Sequence, residues 1–206
     1  MTHRSITHLQ TDPIMAKLIE HCGPCTLRPR RLPPFQSLAH AIIHQQLSGK
    51  AAGTILKRFK AIYKSSRFPS PKLVAETSLP TLRSAGLSRA KATYIHDLAQ
   101  RAVNGKLPNL KRCDQMTDQQ LIETLTEIKG VGRWTSEMLL IFNLGRPDVL
   151  PVHDLGVRRG YQIAYRKRQL PSPEQLDRIG VKWAPYRTTA AWYLWRAADF
   201  LKDGEW

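Results

Sequence analysis

The stretch Leu125-Thr-Glu-Ile-Lys-Gly-Val-Gly-Arg-Trp-Thr-Ser-Glu-Met-Leu-Leu140 reads as two helices pinched together by a Gly130-Val131-Gly132 hairpin. Glycines at 130 and 132 permit positive φ and leave no side chain in the path of an approaching backbone. The amides of such a turn form an anion-binding nest, and the second helix aims its positive N-terminus the same way. A DNA phosphate fits that description. Leu150-Pro-Val-His-Asp-Leu-Gly-Val157 follows and places one carboxylate, Asp154, in a short loop 22 residues beyond Gly132. An anion grip followed by a lone acid describes an enzyme that holds a DNA backbone and attacks beside it.

Outward from the hairpin the pattern stays helical. Asp12 before Pro13 predicts a cap and first turn for a helix to about Glu20. Phe35, Leu38, Ala39, Ile42 and Ile43 recur with a helical period. The loop His44–Lys50 interrupts it, and Ala51–Tyr63 resumes with Ile55, Phe59 and Ile62. Ser70-Pro71 and Leu79-Pro80 mark short helices, and Ala85–Ala99 is a second helix–Gly turn–helix, a weaker echo of the main hairpin. Thr117-Asp-Gln-Gln120 is a capping box. Gly145 and Pro147 close the hairpin's second helix. Asp154 opens a helix to about Arg168, and Glu174 onward is helical with a break at Pro185. No alternating strand of useful length appears, so the fold class is all-α.

Composition agrees with a polyanionic partner. Lys and Arg number 32 against 16 Asp and Glu, a net charge of +16 on 206 residues and a pI near 10.2. Such an excess favours nucleic acid through counterion release and steering, although a merely basic soluble protein would share it. With 42% apolar residues and five Trp the chain can bury a sizeable core, as one domain or two small lobes. No apolar run approaches membrane-spanning length, and the N-terminal Met-Thr-His-Arg-Ser-Ile-Thr-His has no apolar core for a signal peptide. An intracellular place is expected: cytoplasm or nucleoid in a bacterium, nucleus in a eukaryote.

The cysteines contain a decoy. Cys22-Gly-Pro-Cys25 has the letters of a dithiol redox motif, but that chemistry needs a thiolate at a helix N-terminus in a βαβ setting. Pro29, Pro33 and Pro34 follow instead, so Gly23-Pro24 reads as an ordinary turn. Three cysteines without a second paired spacing indicate neither a zinc site nor an iron–sulfur cluster.

Five segments in order resemble one family: Ala41-Ile-Ile-His-Gln-Gln-Leu-Ser-Gly-Lys-Ala-Ala52, Ala85-Gly-Leu-Ser88, Ile128-Lys-Gly-Val-Gly-Arg-Trp-Thr135, Val152-His-Asp-Leu-Gly156 and Trp183-Ala-Pro-Tyr-Arg187. The chain from about Phe35 onward resembles the helix-hairpin-helix (HhH-GPD) DNA glycosylases, in the alkylated-base branch called DNA-3-methyladenine glycosylase II. Some members carry an extra N-terminal β-rich domain, for which this chain has no room. The resemblance implies two helical lobes, residues 36–146 with the hairpin and residues 1–35 plus 147–206, with a DNA- and base-binding cleft between them. It implies a monomer acting on double-stranded DNA that contains alkylated bases, with no membrane partner.

Cleaving an N-glycosidic bond develops oxocarbenium character on the deoxyribose, and one ionised carboxylate near C1′ stabilises that charge and orients or activates a water. By spacing alone Asp154 is an N-cap; by resemblance it is the catalytic acid, and the two roles are compatible. The target base must leave the stack, and a cationic purine wants aromatic faces. Trp134 and Trp195 match pocket positions of the family, with Tyr193 and Met138 as neighbours, while Trp183 and Trp192 read as core. At the family's wedge position stand Gln45, Gln46, Leu47 and Ser48, with Lys50 just beyond, and the wedge itself is Gln46 or Leu47. Gly130, Val131, Gly132 and Arg133 would contact the DNA backbone. The resemblance requires no cofactor. It adds a structural monovalent cation, Na or K, on backbone carbonyls matching Thr126, Ile128 and Val131.

Two other readings stand beside this one. A non-catalytic helix-hairpin-helix module would keep DNA binding and lack base release. A bifunctional glycosylase/lyase would use a Lys amine, which such relatives carry two residues after the second hairpin glycine, where this chain has Trp134. The motifs favour no single lesion among 3-methyladenine, 7-methylguanine, 3-methylguanine, ethenoadenine and hypoxanthine.

Overall fold

In the computed structural model, residues 3–65 and 67–200 are described. They form helices α1 (His3–Leu9), α2 (Pro13–Cys22), α3 (Pro34–His44), α4 (Gly49–Ala61), α5 (Pro71–Ala75), α6 (Leu79–Ser84), α7 (Arg89–Val103), α8 (Leu110–Gln115), α9 (Asp118–Thr126), α10 (Arg133–Met138), α11 (Leu155–Ala164), α12 (Pro173–Gly180) and α13 (Arg187–Phe200). A π-helical turn, Leu139–Leu144, follows α10, and a 3₁₀ turn, Val181–Trp183, follows α12. No strand occurs among the described residues. The chain divides into two compact units, one of Met1–Pro29 with Leu140–Trp206 and the other of Arg30–Leu139.

The helix starts follow short polar caps. Ser48, Ser70, Ser78, Ser88, Asn109, Thr117 and Ser172 each accept a bond from a first-turn amide of the helix they precede, which satisfies a donor that would otherwise be orphaned. Thr117 and Ser172 close reciprocal capping boxes with Gln120 and Gln175. The cap at Ser48 corrects one expectation: Gly49 and Lys50 belong to α4 rather than to the preceding loop. The helix from Asp154 also ends earlier than expected, at Ala164, and Arg166 turns into the left-handed region with φ 50°.

Unit 30–139 packs Leu38, Ile42, Ile43, Phe59, Leu82, Ile95, Leu98, Leu121 and Leu125 into its interior. In the other unit α11 lies against α13, and α13 against α2. Gly160 sets the α11–α13 spacing, since a Cβ there would sit 1.8 Å from the Leu194 carbonyl oxygen. Asp12, the α2 cap, is buried and accepts from Ile14 N (3.0 Å), Trp183 Nε1 (3.2 Å) and the Tyr165 hydroxyl, and pairs with Lys182 (2.7 Å). Burial pushes its carboxyl up, but these donors together outweigh it and hold it below the usual range. The N-terminal helices are thereby tied to residues more than 150 positions later.

Candidate active site

Asp154 caps α11, as its spacing suggested. Its Oδ1 accepts from Val157 N at 2.9 Å and from Trp195 Nε1 at 2.9 Å, which fixes the orientation of a half-buried carboxylate at a helix N-terminus. The Trp195 partner depends on two glycines. Gly160 brings α13 onto α11, and a Cβ on Gly156 would lie 2.9 Å from Trp195 Cδ1. Any other residue at either position would push the indole off the carboxylate. The Trp195 ring also leans on Phe142 at 5.5 Å between centroids. The chain entering this corner is anchored as well. Arg187 grips Asp148 in two-pronged fashion at 2.8 and 2.9 Å, and Thr188 Oγ1 donates to Arg146 O and accepts from Val149 N. Leu155, next to the acid, is 62% exposed.

Two aromatic assignments change, those of Tyr193 and Trp192, and Trp195 gains a partner. Trp195 is half-buried and spends its N–H on Asp154. Tyr193, expected as a pocket neighbour, is wholly buried, with its hydroxyl donating to Gly23 O at 3.0 Å. Burial pushes that phenol up to about 12, so it is a core residue. Trp192, read as core, is half-exposed, with the Arg196 guanidinium 5.6 Å from its ring. Residues one apart on a helix point about 100° from each other, and the short motif around 192–195 does not say which face is inside. A cavity of about 640 Å³ in this unit lies not at Asp154 but toward the other end of α11, lined by Tyr161, Lys167, Arg168, Gln175 and Arg178.

In unit 30–139 the hairpin joins α9 to α10. Its two glycines have different reasons to be glycine. Gly130 has φ 82°, and a Cβ on it would strike the Tyr94 ring at 2.2 Å, so the fold itself demands it. Gly132 has φ −92° and ψ 177°, extended backbone rather than the positive φ expected, and a Cβ there would meet nothing within 4 Å. It caps α10 without a side-chain bond. Arg133 beside it pairs with Glu137 at 3.0 Å, with half of its side chain still exposed and Glu137 buried. Trp134 is 47% exposed, a large apolar side chain left in solvent.

Trp134, Thr135 and Met138 line a groove of about 630 Å³ together with Gln45, Lys91 and Tyr94. The expected pocket residues Trp134 and Met138 are therefore brought beside the expected wedge turn within one unit. In that turn Gln46 takes φ 55° and is exposed, and Leu47 is 39% exposed. Gln45 is half-buried and its Nε2 donates to Gly130 O at 3.0 Å, while Ser48 turns its hydroxyl to the α4 amides. Lys91 and Tyr94 were absent from the sequence reading. Their only signal was their place just after the Ala85–Ser88 turn.

Cys22 and Cys25 are free, and burial pushes both thiols up, away from the thiolate form. Among the described residues no group of three or more His, Cys, Asp or Glu side chains could hold a metal, and no helix is long and apolar enough to cross a membrane.

This chain is 39% identical over 172 residues to DNA-3-methyladenine glycosylase 1 of Schizosaccharomyces pombe, covering 82% of this chain and 75% of that one. It is 35% identical to the alkylbase DNA glycosidase-like protein mag2 of the same yeast, over 98% and 96% of the two chains. The crystal structure of a DNA-3-methyladenine glycosidase from Bacillus halodurans superposes with a TM-score of 0.89 at 36% identity, over 98% and 92% of the chains. The Schizosaccharomyces pombe 3-methyladenine DNA glycosylase in complex with abasic DNA gives 0.84 at 36% identity, over 96% and 97%. Residues 39–185, which hold the hairpin, the turn and Asp154, match the model of the HhH-GPD superfamily base excision DNA repair proteins, and the chain belongs to that family.

Proposed function

We propose that this protein is a monofunctional DNA glycosylase that flips an alkylated purine out of double-stranded DNA and hydrolyses its N-glycosidic bond, acting as a monomer. The observation that carries the reading is the Asp154 corner. A carboxylate held by Trp195 Nε1 and Val157 N at a helix N-terminus is preorganised, so stabilising a developing oxocarbenium ion needs little rearrangement. A base that leaves as a neutral purine from a cationic nucleoside needs no general acid, which suits a site with one carboxylate. The open space at Gly132, the +16 charge and the exposed Trp134 support binding of a DNA backbone and stacking of an extruded base. Trp134 in place of a lysine supports hydrolysis over Schiff-base chemistry.

The proposal includes a monovalent cation, Na or K, at the hairpin carbonyls of Thr126, Ile128 and Val131. Main-chain oxygens are neutral, hard donors suited to such an ion, and the Ile128 carbonyl, which takes the Val131 amide at 3.0 Å, has a second lone pair to offer. A cation there would draw a phosphate toward Gly132.

The test is single-turnover release of 3-methyladenine and 7-methylguanine from alkylated duplex. Asp154→Asn should slow it on the order of a thousandfold or more and leave binding of abasic DNA and thermal stability intact, because Asn caps a helix about as well as Asp. An active Asn variant removes Asp154 from the chemistry. A covalent adduct trapped by borohydride would move the protein to the lyase class.

A further inference from the structure

The turn between α3 and α4 is held by groups that lie far from it in sequence. An α-helix leaves its last carbonyls without intrahelical partners, and α3 ends on His44 with a sharp reversal in which Gln46 has positive φ. Lys91, in the first turn of α7, sends Nζ to Ile43 O at 2.8 Å and Gln45 O at 2.6 Å. Its ammonium thereby caps the end of α3 and clamps the first residue of the turn. Burial lowers its pKa, which records the desolvation these two bonds offset. Gln45 then reaches the other way, from the turn to Gly130 O at 3.0 Å, and Gly130 rests on Tyr94, one helical turn beyond Lys91. The turn, α7 and the hairpin thus form one closed circuit of contacts within a single unit, and the residues left pointing outward are Gln46 and Leu47.

We infer that Lys91 is a positioning residue for the turn Gln45–Leu47, and that Lys91 with Gln45 couples the hairpin to that turn. A hairpin seated on the backbone then presents Gln46 and Leu47 to the duplex in a fixed register. This rests on the glycosylase reading for the identity of the ligand, DNA. It goes beyond that reading in assigning a role to a lysine that touches neither the scissile bond nor the hairpin phosphate. A rigid wedge needs this support because a loose turn would have to order itself on insertion, at an entropic cost drawn from binding.

The experiment uses the whole chain and two probes. A duplex carrying 2-aminopurine beside an abasic site reports insertion through its fluorescence, and alkylated duplex reports base release. The wild type should change the fluorescence on binding, Lys91→Met should reduce that change by about tenfold or more at saturating protein, and Lys91→Arg should restore most of it, since a guanidinium also donates to two carbonyls. The loss of base release in Lys91→Met should shrink when the alkylated base stands in a mismatch or bulge, where extrusion is cheap. A merely structural role would depress both substrates equally. Gln45→Ala, which cuts only the link to Gly130, should show the same substrate dependence, and it decides the matter if Lys91→Met does not fold. No fluorescence change with wild type, or full change with folded Lys91→Met and Gln45→Ala, overturns the inference. Wild type that inserts but releases no base refutes the glycosylase reading and leaves the positioning role standing.

Discussion

Two helix–glycine turn–helix hairpins lie in the same unit, one at 84–89 and one at 126–133, and they differ in how the second helix begins. Both place a glycine at strongly positive φ, Gly86 at 98° and Gly130 at 82°. In the first, Ser88 follows and its hydroxyl accepts from Lys91 N at 3.2 Å, so α7 is capped by its own chain. In the second, Gly132 stands at the cap with no side chain to offer, and no side-chain cap bond closes the start of α10. The same topology thus yields a helix start closed by a hydroxyl in one place and one without a side-chain cap in the other. A single side chain separates them.

The comparison can be broken at its glycines. Gly130→Ala adds a left-handed alanine and a collision with Tyr94, and should cost about 2–5 kcal/mol of unfolding free energy. Gly86→Ala comes no nearer than 3.3 Å to a neighbour, Ile55 Cγ1, with Ile55 Cδ1 and Arg58 Nη1 at 3.9 Å, and should cost about 1–2 kcal/mol, chiefly from its φ. Denaturant midpoints check both, and equal losses would erase the distinction. The sharper test exchanges the caps. Gly132→Ser gives α10 the cap that α7 has, in open space and at ordinary φ. It should stabilise the protein by about 0.5–1 kcal/mol while weakening duplex binding about tenfold or more in a titration at fixed salt. A variant at once more stable and worse at binding is what an unsatisfied, functional helix end predicts. Ser88→Ala should only destabilise, losing about 1 kcal/mol with duplex affinity unchanged.

The smallest effect concerns pH. His40 on α3 is half-buried, stands edge-on to Phe68 with ring centroids 5.0 Å apart, and its Nε2 has no hydrogen-bond partner among the described residues. Burial, then His44, Lys60 and Arg30, lower its pKa from 6.5 to about 4. The unfolded chain therefore binds the proton more readily. This contribution to stability is complete above about pH 6.5 and lost as pH falls toward 4. Melting temperatures across that interval should decline for wild type, and His40→Leu should flatten part of the slope.

What could be read from the sequence was local. The capping box at Thr117, the Asp12 and Asp154 caps and the Gly130 turn each depend on neighbours within four residues, and all stand in the structure. What was missed depends on packing between distant segments. Trp195 finds Asp154 only because Gly160 admits α13, and nothing near Trp195 announces that. Lys91 acquires its two carbonyls, Ile43 in α3 and Gln45 in the turn, from 48 and 46 positions earlier. Tyr193 moved from the expected pocket into the core, and Trp192 from the expected core to a half-exposed position, because α13 is apolar on several sides. Gly132 was assigned the conformation of Gly130 because the letters are the same; only the backbone angles separate a glycine needed by the fold from one that leaves room for a visitor.

The unit that bears Asp154 is made from two separate stretches, residues 1–29 and 140–206, whereas the unit with the hairpin is one continuous stretch. Synthesis from the N-terminus therefore completes the two at different times. When the ribosome has delivered residue 139, everything the hairpin unit packs is already available. Asp12, by contrast, must wait for Tyr165, Lys182 and Trp183, and Asp154 for Trp195. In the growing polypeptide the hairpin can therefore take shape well before Trp195 is there to fix the Asp154 carboxylate.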